Sequence, residues 1–257
     1  MPGMFRRSAM AGLAALVCLP LGSAVADPKP IGQPVVNYVP VSWAGEIWLA
    51  KNSPVLTAGP APNYWSAAPT NVSVDSQGYL HLSVEKIGGR WLCAALQSVK
   101  DYGYGTYRFV MSTPLSAFDP NAVVGMFTYN NSPAYGHQEI DVELSKWGVP
   151  SPTAHNAQYV VQPWRWKHHT RRFLAPPAAA LTYEYTWSPT GVTFKLFDGS
   201  GADAPLIKTW STTANPGPPE AGTKLNLNMW LFQGHPPYNN QHQEVVFQDF
   251  TYTPATA

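Results

Sequence analysis

Two cysteines, Cys18 and Cys93, are all that 257 residues carry. Cys18 falls in an N-terminal stretch that reads as an export signal. It has Arg6 and Arg7, an apolar run from about Met10 to Leu19, then Ala24, Val25 and Ala26 in the small-x-small pattern of a cleavage site. Removing residues 1–26 would leave Cys93 alone, which excludes an intrachain disulfide and leaves stability to packing. No stretch reaches the ~20 consecutive apolar residues of a spanning helix, so no membrane partner is expected. Charge is scarce as well, at 12% of the chain. Without the signal, 14 cationic residues face 15 acidic ones, a balance that offers no footprint for nucleic acid. Sequence repeats, heptads, glycine-rich phosphate loops and Cys/His metal spacings are lacking too. The mature chain is therefore expected to be secreted or periplasmic, monomeric and without a required cofactor or metal.

What is abundant is aromatic: 10 Trp, 13 Tyr and 10 Phe, with every Trp beyond the signal. Much of this must fill a core, and aromatic-rich, charge-poor surfaces also suit sugar binding. Proline is abundant too, and the 26 residues are scattered so widely that long helices are excluded. Residues 27–44 open on a Pro-rich stretch without period and read as an arm or linker, and residues 45–257 as one domain. Within it, short segments of alternating polarity separated by Gly, Pro, Asn and Asp define an all-β class. Clear strands are Tyr79–Val84, Gly105–Met111, Val124–Tyr129, Glu139–Leu144, Ala157–Gln162, Thr182–Trp187, Val192–Phe197, Leu225–Phe232 and Val245–Thr251.

One of these carries chemistry. In Gly136-His-Gln-Glu-Ile-Asp-Val-Glu-Leu-Ser-Lys-Trp147, a period of two puts His137, Glu139, Asp141, Glu143, Ser145 and Trp147 on one face, and Ile140, Val142 and Leu144 on the other. Three carboxylates at successive same-face positions, with no cation among them, repel one another, and such a cost marks a functional site. The residue types fit glycoside hydrolysis, in which one ionised carboxylate attacks and a protonated one serves the leaving oxygen. On a flat strand the outer two Cα atoms would lie about 13 Å apart, whereas retaining enzymes hold these carboxyls about 5–5.5 Å apart. The strand must therefore be concave.

Glu139-Ile-Asp-Val-Glu143 resembles the Glu-x-Asp-x-Glu signature of glycoside hydrolase family 16, in the form typical of lichenases and xyloglucan endotransglycosylases. Tyr102 to Tyr107, Phe127 to Tyr129, Tyr183 to Trp187 and Asn228-Met-Trp230 resemble family segments in the family's order. The resemblance implies a concanavalin-type jelly-roll sandwich of two antiparallel sheets, whose concave sheet forms a substrate cleft. It implies a retaining endo-hydrolase acting on a polysaccharide such as a β-glucan, with Glu139 as nucleophile, Glu143 as acid/base and Asp141 as their helper. Trp230, Asn228, His137, Trp147, Asn156, Gln158 and Gln162 are expected to bind substrate. The chain departs from the lichenase pattern at Ala95 and Gln97, where Glu and Arg are usual. A calcium ligand known in some family members falls on Gln248 or Asp249. An endotransglycosylase of the same fold, or a lectin-like sandwich without chemistry, are the alternatives, and the complete triad speaks against the second.

Overall fold

The computed structural model describes residues 36–256, so the expected signal peptide lies outside the described residues. Sixteen strands follow one another: β1 (Asn37–Trp43), β2 (Glu46–Ala58), β3 (Asn63–Trp65), β4 (Val72–Val74), β5 (Leu80–Ile87), β6 (Arg90–Asp101), β7 (Gly105–Met111) and β8 (Ala122–Tyr129). After them come β9 (Ile140–Leu144), β10 (Ala157–Val161), β11 (Thr170–Phe173), β12 (Leu181–Ser188), β13 (Gly191–Asp198), β14 (Leu206–Thr212), β15 (Lys224–Leu231) and β16 (Gln243–Pro254). Among the described residues, only short 3-10 turns interrupt them.

The strands form a jelly-roll-like sandwich. One layer runs β1-β2-β6-β15-β8-β9-β10-β11, and the other β4-β5-β16-β7-β12-β13-β14. The β5–β6 hairpin, with Glu85 opposite Leu92, makes the two continuous. Pairing is antiparallel except between β3 and β6.

Alternation decides what fills the space between the layers. Ile140, Val142 and Leu144 of β9, and Leu225, Leu227 and Met229 of β15, are wholly buried there. The facing layer answers with Tyr107 and Phe109 of β7, Tyr183, Tyr185 and Trp187 of β12, and Phe194 of β13. Tyr107 stacks on Tyr185 at 4.5 Å, and Tyr159 of β10 stacks on Phe194 at 4.6 Å across the sandwich. Each such pair is worth about 0.5–1.5 kcal/mol beyond its buried area. Part of the aromatic surplus of the sequence is spent here, and the carboxylates of β9 are left on the opposite face, where they line a cleft.

The boundary expected between residues 44 and 45 falls inside the β1–β2 hairpin. Residues 37–43 pair in register with β2, from Asn37 opposite Asn52 to Trp43 opposite Glu46, and Trp43 is buried against Trp48 and Phe247. A Pro-rich segment can serve here because an edge strand needs only one side of its backbone paired.

Candidate active site

The cleft begins with the way β9 is entered. Residues 134–138 form a 3-10 turn in which Tyr135, Gly136, His137 and Gln138 all take positive φ. Gln138 is wholly buried and anchors the turn. Its amide donates to the carbonyls of Pro216 and Pro218, and its Oε1 accepts from the Glu220 amide at 3.0 Å and the Thr223 hydroxyl at 2.6 Å. Its own carbonyl accepts from Thr128 Oγ1 at 2.7 Å. Extended backbone resumes at Glu139, with φ −89° and ψ 120°. From there Glu139, Asp141 and Glu143 share the cleft face.

Together they line a cleft of about 450 Å³, walled by Tyr38, Lys51, Trp65, Phe127, Asn228 and Trp230 among others. Gly125 of β8 sits between Asn228 and Glu143 in the register. A Cβ there would lie 2.6 Å from Asn228 Oδ1, so only glycine lets this amide settle beside the triad. Asn228 is 3% exposed, and its Oδ1 has no hydrogen-bond partner within the described residues. Ala95 and Gln97 also face the cleft, with Gln97 Nε2 donating to Asn226 Oδ1 at 3.3 Å. Lys51 is the cation of the wall, its Nζ 4.5 Å from the Trp65 ring centroid, and burial lowers its pKa.

Crowding three carboxyls into a half-buried row raises their proton affinities. Burial, with the Glu143 charge adding to it, lifts Glu139 to about 7, while a hydrogen bond from Asp141 holds it from going higher. Asp141 rises well above the carboxylate range through burial and then the charges of Glu139 and Glu143. Burial also raises Glu143, but a hydrogen bond from Gln158 and the charge of Arg172 pull it back. The row therefore holds Asp141 as the protonated donor to Glu139, and Glu139 half ionised near neutrality.

Of the expected substrate-binding residues, Asn228 and Trp230 lie in the cleft. The others lie elsewhere or serve other partners. His137 does not continue the strand, because the 3-10 turn breaks the alternation. Its ring stacks on Tyr129 at 5.0 Å and its Nδ1 meets the Asn130 carbonyl at 3.0 Å. Trp147 lies beyond the end of β9 at φ 52° and packs edge-on against Trp230 and Phe232. It props a cleft residue without lining the cleft. Asn156 is consumed by the backbone of Ala175, accepting from its amide at 2.7 Å and donating to its carbonyl at 3.5 Å. Gln158 and Gln162 share the face of the triad but bind carboxylates. Gln158 Nε2 donates to Glu143 Oε2 at 2.5 Å, and Gln162 Nε2 to Asp141 Oδ2 at 3.4 Å.

A β-sandwich with a row of carboxyls in an aromatic and amide-lined cleft has the makeup of a glycoside hydrolase. The sequence matches the profile of Glycosyl hydrolases family 16 over residues 61–246. The chain belongs to that family. No curated protein matches the sequence. Among solved structures, Bacillus licheniformis β-glucanase is similar with a TM-score of 0.59 and 22% identity, over 85% of this chain and 99% of that one. A Bacteroides ovatus mixed-linkage glucan family 16 protein in complex with its G4G4G3G product gives 0.58 and 15%, over 80% and 94%. A protein of Mycobacterium tuberculosis described as a pseudo β-1,3-glucanase gives 0.57 and 18%, over 81% and 91%.

Proposed function

We propose that this chain is an exported, retaining endo-hydrolase of a β-glucan, with Glu139 as nucleophile and Glu143 as acid/base. The observation that carries this reading is the row of carboxyls on one face of the cleft, in which Asp141 keeps its proton and donates to Glu139. Glu139 attacks the anomeric carbon while Glu143 protonates the departing oxygen. Glu143 then takes a proton from the water that releases the glycosyl-enzyme. Asp141, donating to Glu139, weakens it as a base and lets it leave in the second step. Asn228 Oδ1 accepts from a sugar hydroxyl, and Trp230 offers a face to the ring. The similar β-glucanases support the choice of glycan, and residues 1–26, read as a cleavable signal, support export.

The test uses an activated aryl β-glycoside and azide. Glu139→Ala and Glu143→Ala are both expected to abolish turnover of the polysaccharide. With azide, Glu143→Ala should form the β-azide by two displacements and Glu139→Ala the α-azide by one. Near-wild-type activity in both variants, or release of the inverted anomer by the wild type, would overturn the roles.

A further inference from the structure

Glu143 does not stand alone at the end of its row. In register across the sheet, Gly125 of β8 faces Glu143 of β9, Glu143 faces Gln158 of β10, and Gln158 faces Arg172 of β11. Two hydrogen bonds run along this line. Arg172 Nε donates to Gln158 Oε1 at 2.9 Å, and Gln158 Nε2 donates to Glu143 Oε2 at 2.5 Å. We propose that Arg172 and Gln158 are positioning residues for Glu143, a relay in which a surface guanidinium, acting through a polarised amide, fixes the carboxyl and stabilises its ionised form.

An amide transmits charge in one sense only. A cation on its oxygen makes its N–H groups stronger donors, and a carboxylate accepting from such a donor is favoured over the acid. The amide orientation is fixed by this pairing, since the guanidinium can only donate and so must meet the oxygen. The other carboxyls of the cleft are Glu139 and Asp141 on its own strand, of which Asp141 holds its proton, and a cation, Lys51 of β2, stands in the wall. From β8 and β15 the neighbours are Gly125 and Asn228, which carry no charge. The relay thus brings a hydrogen-bonded cationic influence to a residue that must release its proton in one half-reaction and recover it in the next. Without it, burial would hold the proton more tightly and weaken Glu143 as the acid toward the departing oxygen.

This inference rests on Glu143 being the acid/base, and the test separates the two claims. Glutamate carboxyls labelled with 13C are titrated by NMR, with Glu143 assigned by its loss in Glu143→Gln, and kcat/KM on a β-glucan oligosaccharide is measured across pH. Arg172 is exposed on the edge strand, so Arg172→Met should fold normally and decides the matter even if Gln158→Leu does not. In Arg172→Met the Glu143 titration should move up by about 0.5–1 unit, a modest shift because the guanidinium is screened by water. The basic limb of kcat/KM, which needs protonated Glu143, should move with it. Gln158→Leu should shift both similarly, and the double variant no further, since either change breaks the line. An unmoved Glu143 titration in Arg172→Met, or additive shifts in the double variant, would overturn the relay. A moved titration in an enzyme that cleaves no β-glucan would support the relay and overturn the β-glucan reading.

Discussion

At the scale of one residue, Glu139 shows what the cleft costs the fold. Its pKa of about 7 lies above the unfolded value near 4.3. Between those two pH values the native state binds more protons than the unfolded chain, so stability falls as pH rises. The contribution of this group is complete below about pH 4 and is gone once the pH passes about 7. Glu139→Gln keeps the shape and an oxygen for Asp141 to bond, but cannot ionise. It is therefore expected to melt higher than the wild type at pH 8 by a few degrees, at about 2–4 °C per kcal/mol for a chain of this size. At pH 4 the two should coincide, and turnover should be lost at both. Thermal unfolding at the two pH values checks this, and a gain of equal size at pH 4 would show that ionisation is not its source.

At the scale of an element, the approach to β9 matters as much as the strand. Gln138 ties the turn before Glu139 to the loop around residues 216–223 through four side-chain hydrogen bonds. Gln138→Ala would orphan several buried partners at once and is expected to cost about 2–5 kcal/mol in urea unfolding. The folded fraction should lose kcat as well, because Glu139 is the next residue. Equal stability in the variant would mean that the loop is held by other contacts. None of this was visible in sequence, where a lone Gln between His and Glu carries no period and no motif. The strand itself was visible, because Ile140, Val142 and Leu144 alternate cleanly with the carboxyls, as do the two faces of β7, β12, β13 and β15. Extending that alternation back to His137 failed, although Ser132, Pro133 and Gly136 signalled a turn just ahead of the motif. β6 was missed for the opposite reason, since Leu92, Cys93 and Ala94 are all buried and blur its period. β14 is too exposed to alternate. Gln158 was placed on the correct face, but sequence could not show that its amide meets a carboxylate.

At the scale of the molecule, the sandwich recruits its N-terminal segment. Trp43 packs on Trp48 at 5.7 Å and on Phe247 at 6.3 Å, joining β1 and β2 to the far layer. A chain beginning at Gly45 should lose about 3–5 kcal/mol, as for truncating a buried Trp, and melt roughly 10 °C lower. A melting point unchanged within about 2 °C would show that β1 adds nothing to the sandwich.

The position of Pro40 has one more consequence. β1 is rich in residues that favour strands, and Tyr38 and Val39 are 46% and 41% exposed on it. Among the described residues it also lies at the rim of its layer, pairing with β2 alone. Such a rim invites another chain to add a strand, the first step of fibril growth. Proline has no N–H to offer an incoming strand and leaves a gap in the middle of the seven-residue segment. One of the prolines that made the segment look like a linker thus guards the rim of the sandwich against strand addition.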